Sequence, residues 1–128
     1  VALRESKFAW AEWLRQQDRR ADAVKLYREL AADVRSKEGS AAAYYVLEDT
    51  FEKGDMDKTE KAIFAYSERE PQAYWLAKAF ILLGDVYVRK GDNFQARATY
   101  QSVADGYSPA DDGIVDEAKE RIAKLNWR

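Results

Sequence analysis

Three acids, Glu12, Glu48 and Asp85, recur 36 and 37 residues apart and are the side chains whose spacing best suits them to chemistry. Carboxylates held in register can move protons, hold a cation or attract a positively charged partner, according to their surroundings. A further pair, Asp111-Asp112, precedes an apolar-periodic stretch, where acids favour the positive end of a helix. Capping is the expectation there, ahead of metal binding or acid-base work. The rest of the catalytic repertoire is thin. Cysteine and histidine are both absent, which removes zinc sites, disulfides, thiol nucleophiles and the commonest general base together. Gly91-Asp92 reads as a turn, and no Walker or dinucleotide pattern occurs. The expectation is a protein that is not an enzyme and uses no metal and no cofactor.

Composition points the same way. The 128 residues make one domain's worth of chain, and 47% hydrophobic with 34% charged content suits a folded domain rather than a disordered one. The aromatic load of 4 Trp, 8 Tyr and 5 Phe gives the core ample material. A net charge of -2 offers no basic face, so no nucleic-acid partner is expected. The most apolar stretch, Ala73 to Val88, contains Lys78 and Asp85. It falls short of the roughly 20 residues that span a membrane, so a buried helix is expected and no membrane insertion. Opening at Val1 rather than Met suits a mature form or an excised domain, with any targeting segment upstream. A bacterial cytoplasm and a periplasm both stay open.

The elements that must position the acids come from an internal repeat. Asp18-Arg19, Gly54-Asp55 and Gly91-Asp92 each interrupt a helical pattern at the same spacing as the acids. A small residue follows each turn (Ala23, Thr59, Ala96), then a large one (Tyr27, Ile63, Tyr100), then Leu30, Tyr66 or Val103. Upstream, Trp10, Val46 and Leu83 share one column, and Leu14, Thr50 and Tyr87 another. Small residues admit a neighbouring helix and large ones fill the space beside it. The pattern predicts seven helices over about 3–17, 20–36, 40–53, 57–69, 71–90, 93–107 and 110–126. Pro71 is expected as a first helical residue, Asp92 with Gln95 as a capping box, and Ser108-Pro109 with Asp111 as the start of the last helix. The charged run Asp116 to Arg121 should give that helix a polar outer face, as the terminal cap of an array requires.

The third unit, from Leu83-Gly84 through Tyr87, Gly91-Asp92, Ala96 and Tyr100 to Pro109, resembles a tetratricopeptide repeat (TPR) almost throughout. The first two units are looser, with Leu47 where the family usually has Gly and Thr59 where it usually has Ala. The stretches Tyr74-Trp75-Leu76-Ala77, Gly91 to Ala96 and Asp111 to Ile114 further resemble the C-terminal part of large repeat proteins from Gram-negative anaerobes. The resemblance implies an all-α, right-handed superhelical solenoid spanning residues 1–128. It implies three TPR-like helix-turn-helix repeats at about 4–37, 40–73 and 77–110, with a capping helix at about 110–126.

It also implies a concave groove lined by the first helix of each repeat, with a protein or peptide as partner. The groove-facing column would hold Glu12, Glu48 and Asp85, beside Phe8, Tyr44 and Ile81, with Arg15, Phe51, Glu52 and Arg89 one turn on. An acidic stripe beside an apolar one suits a segment carrying basic and apolar residues. Against it stands the plainer account of exposed acids as solvated charge, worth about 0–1 kcal/mol per pair. Chaperone-binding members of the family carry Lys and Asn in this lining, so chaperone-tail binding is not expected here. Trp10 and Trp13 are expected to pack in a core or against a preceding repeat, and Trp75 to pack as well. For Trp127 both a folded-back and an exposed placement stay open. A homodimer formed through the aromatic-rich first helix is the alternative to a peptide-binding scaffold.

Overall fold

In the computed structural model, which describes residues 2–109 and 111–126, seven α-helices account for most of the described chain and no strand occurs among those residues. They are α1 (Ala2–Gln16), α2 (Arg20–Leu30), α3 (Lys37–Glu52), α4 (Met56–Glu68), α5 (Ala73–Arg89), α6 (Asn93–Gly106) and α7 (Ile114–Asn126). Among the described residues no helix is long and apolar enough to cross a membrane.

The three tight turns 17–19, 53–55 and 90–92 fold each odd helix back along the next one. Each turn needs one residue in the left-handed region, and Gly54 (φ 92°) and Gly91 (φ 82°) supply it without cost. Asp18 fills the equivalent place at φ 64°, one of the few side chains that tolerates it. The next residue then caps the following helix. Asp55 accepts from the Lys58 amide at 3.0 Å and Asp92 from the Gln95 amide at 3.0 Å. The Gln95 side chain returns to the Asp92 carboxylate at 3.0 Å, closing the expected box by a side-chain route. Arg19 cannot accept a hydrogen bond, and α2 has no side-chain cap.

Four boundaries differ from the sequence expectation by two residues or more, and one of them is the start of α3, at Lys37 rather than 40 because Ser36 caps it. Helix α2 stops at Leu30 rather than continuing to 36, because Ser36 ends the intervening turn and caps α3. Its hydroxyl accepts from the Gly39 amide at 2.9 Å and donates to the Asp33 carbonyl at 2.8 Å. Pro71 lies ahead of α5, whose N-cap is Gln72, because Glu70 turns left-handed at φ 60° just before it. Helix α7 starts at Ile114, where the Asp112 carboxylate accepts from its amide at 3.2 Å after the left-handed Gly113. The acidic pair thus supplies a cap. Ala110 and Trp127 lie outside the described residues.

Each helix packs on its neighbour in sequence, and α1 also touches α3, α3 touches α5, and α5 touches α7. No such contact joins α2 to α4 or α4 to α6 among the described residues. The small column Ala23, Thr59 and Ala96 is fully buried, as close approach of two helices demands. Thr59 hides its hydroxyl by donating to the Asp55 carbonyl at 2.7 Å. Ser40 ties the long turn to the helices on either side: it donates to Val34 at 2.6 Å, accepts from the Gln72 amide at 2.9 Å, and its carbonyl takes the Tyr66 hydroxyl at 2.7 Å.

Candidate functional site

The odd helices bring the three acids onto one layer of the molecule but give them different partners. Glu12 accepts from Arg15 at 3.0 and 3.1 Å and from the Tyr27 hydroxyl. Asp85 accepts from the Tyr100 hydroxyl and takes both arms of Arg121, at 3.0 and 3.3 Å. Burial, and then the adjacent carboxylate, push both phenols above their ordinary range, so each remains a donor. The two tyrosines lie at the same offset from their acids, one hairpin turn away.

Position 63 breaks the series. Ile63 stands where Tyr27 and Tyr100 stand in the other units, and it has no donor. The backbone columns explain the exchange. Gly84 leaves room for the Tyr100 ring, since a Cβ there would sit 2.2 Å from the ring. Leu47 occupies the Gly84 column in the second unit, and it and Ile63 are buried in the same apolar cluster. The packing is preserved and the hydroxyl is lost.

Glu48 is therefore half-buried with no hydrogen bond or ion pair among the described residues. Burial raises its pKa, Glu52 adds to the shift, and Arg20, Arg15 and Lys78 offset it only in part. Because the folded value lies above the unfolded one, the stability this group contributes is present below the ordinary carboxylate range. It is lost as pH rises through the folded pKa, so at neutral pH the charged form is a cost to folding.

Around the acids runs a continuous set of aromatic rings. Phe8 meets Tyr27 at 6.0 Å between ring centres, Tyr27 meets Tyr45 at 5.0 Å, and Tyr45 and Tyr44 both meet Trp75 at 5.6 Å. Three cations lie over rings: Arg15 on Tyr45 at 4.3 Å, Lys78 on Tyr44 at 5.7 Å and Arg89 on Phe51 at 4.6 Å. Towards α7 the layer opens into a pocket of about 300 Å³. Phe51, Asp85, Arg89, Arg121 and Lys124 line it, over Val88 and Leu125.

The sequence-derived lining is thus redistributed. Phe51, Asp85 and Arg89 come together in the pocket, and Glu52 pairs with Arg20 on the flank. Phe8, Glu12 and Arg15 form the α1 end. Ile81 and Tyr44 are only 2% and 7% exposed, so they support the wall from behind rather than offering free surface. The acids do not form a uniform stripe, since two of the three are already engaged. Trp75 packs, as expected, whereas Trp10 and Trp13 are 55% and 46% exposed and stack on each other at 5.2 Å. Core packing is thereby corrected for that pair.

Sequence reasoning missed Tyr27 and Tyr100 as partners of the acids, though their constant offset from Glu12 and Asp85 was a usable signal. It also assigned the charged run of α7 wholly to solvent. Asp116, Lys119 and Glu120 do face outward. Glu117 and Arg121 turn inward, to Lys78 at 3.4 Å and to Asp85.

Among the described residues no cluster of side chains is arranged to hold a metal ion. No family model, curated protein or solved structure matches the chain.

Proposed function

We propose that the chain is a protein-interaction scaffold that binds a peptide or protein segment across the layer formed by α1, α3, α5 and α7. On this reading the hairpins are three TPR-like repeats at about 4–37, 40–73 and 77–110 of a right-handed solenoid, with α7 as the cap. Its supports are the repeated left-handed turns, the buried small column and the recurrent acid–tyrosine bond. The stretches Tyr74 to Ala77, Gly91 to Ala96 and Asp111 to Ile114 also resemble the C-terminal part of large repeat proteins from Gram-negative anaerobes.

The observation that carries the reading is the pocket beside Phe51. It combines an aromatic ring, a stacked arginine and two further cations over an apolar floor. Such a mixture suits a side chain of a partner, and the Tyr100–Asp85 pair on its wall is tied down by both arms of Arg121. Peptides selected from a random display library against the whole chain should shift backbone amide resonances of α3, α5 and α7. Phe51→Ala should weaken them on the order of tenfold, as loss of an aromatic anchor does. Selected peptides that map to α2, α4 and α6 instead would overturn the reading.

A second reading, association of two copies, is favoured by the α1 face carrying Leu3, Trp10 and Trp13, all exposed. The Trp10 and Trp13 columns hold Val46 and Asp49 in the second unit and Leu83 and Val86 in the third. Those residues are covered to varying degrees beneath the preceding helix pair. Two copies could cover α1 in the same way. Sedimentation at two concentrations should then show a dimer that Trp10→Ala with Trp13→Ala abolishes. A monomer at both concentrations would discard this reading.

A further inference from the structure

Four acids on the odd helices are satisfied within the chain. Glu12 is held by Arg15 and Tyr27, Glu52 by Arg20, Asp85 by Arg121 and Tyr100, and Glu117 by Lys78 and Arg121. Glu48, half-buried, stands without a partner among the described residues, and Ile63 stands where the other two units have their tyrosine donor. The cations nearest to it are committed elsewhere. Arg15 bonds Glu12 and lies over Tyr45, Arg20 bridges Asp49 and Glu52, and Lys78 reaches Glu117 from over Tyr44.

We propose that Glu48 is a recognition site for an arginine side chain of the bound partner, left open by the substitution of Ile63 for the tyrosine that satisfies its counterparts. Both carboxylate oxygens are free, so they can accept the two parallel N–H groups of a guanidinium. The site is half-desolvated before the ligand arrives, which strengthens a charged hydrogen bond relative to open water. The half-buried Tyr45 ring beside it, packed on Trp75, supplies apolar surface for the aliphatic stem. The layer thus selects a segment with arginine opposite Glu48, and an acidic side chain there is repelled.

This inference rests on the scaffold reading for its biological use but is tested without any partner. Capped arginine (N-acetylarginine methylamide) is titrated into the whole chain while backbone amide resonances are followed, with capped citrulline as the uncharged analogue of the same shape. Saturable shifts are expected at Tyr44 to Glu52 and at Lys78, with citrulline and the Glu48→Gln variant each about tenfold weaker. Glu48→Gln should fold normally, since it removes a charge the fold does not use.

A second variant, Leu47→Gly with Ile63→Tyr, rebuilds the Gly84–Tyr100 arrangement in the second unit and gives Glu48 an internal donor. It should lower arginine binding about as much as Glu48→Gln does. Equal binding of arginine and citrulline, or unchanged binding in Glu48→Gln, would overturn the proposal. Arginine binding at Glu48 together with display-selected peptides that map to the even helices would leave the site standing and remove the scaffold reading.

Discussion

Replacing Gly84 with leucine should destabilise the protein by about 3 kcal/mol, at the upper end of what overpacking a close-packed contact costs. Even a bare Cβ would lie 2.2, 2.5 and 2.7 Å from three atoms of the Tyr100 ring. That ring is almost fully buried and anchored through its hydroxyl to Asp85, so it cannot swing aside. The helix-propensity gain on losing a mid-helix glycine, about 1 kcal/mol, is too small to offset the clash. The informative comparison is the double variant Gly84→Leu with Tyr100→Ile, which copies Leu47 and Ile63. Urea unfolding should show it recovering at least half of the loss, a coupling of roughly 1–3 kcal/mol between residues in direct contact. Additive effects would mean that the two units do not exchange volume in the way their columns suggest.

Deleting residues 111–128 should have the largest effect of all. Helix α7 buries Ile114, Ala118 and Leu125, with Ile122 half-covered, against α5 and α6. Uncovering these and the surfaces beneath them forfeits on the order of 5 kcal/mol of apolar burial, comparable with the whole stability of a typical domain. It also strips Asp85 of Arg121 and Lys78 of Glu117. The shortened chain should bind a hydrophobic dye and lose its cooperative thermal transition. Leu125→Ala, which keeps the helix, should cost about 2–5 kcal/mol as a buried leucine truncation does. A truncated chain that melts cooperatively at the original temperature would show that α7 contributes little to the fold.

Much of the helical order was legible in the sequence, and the reasons are local. A left-handed glycine followed by an acidic cap, or an aspartate that tolerates the left-handed region, has few solutions other than the end of one helix and the start of another. That is why 18, 54 and 91 were readable. The end of α2 was not, because Ala31 to Val34 still has helical composition. What stops the helix there is the Ser36 cap, which competes for the same backbone. The α7 start slipped for a similar reason: two acids and a glycine offered several caps, and Asp112 is the one used.

The candidate site was legible only as a set of columns. Which acid is satisfied depends on a residue in the next helix, and so on packing rather than on the acid's own neighbours in sequence. Glu12 and Asp85 looked like Glu48 until Tyr27, Tyr100 and Ile63 were placed against them. The inward turn of Glu117 and Arg121 was hidden by the same effect, since a run of alternating charge reads as solvent-facing from either side.

The apolar interior is divided in two. A smaller cluster joins Ala11, Leu14, Ala23, Tyr27 and Leu30 to Ala42, and a larger one runs from Val34 to Leu125. Tyr45 packs against both. Contacts between helices reach no further along the chain than the next element but one. Loosening can therefore begin at one end without reaching the other. The α1–α2 hairpin is held by the smaller cluster and by a few polar ties such as the Arg20 bridges to α3, and its amide protons would exchange with solvent through partial openings that leave α5 to α7 closed. A segment that docks across α1, α3 and α5 would stitch these sections together and slow that exchange along α1 and α2.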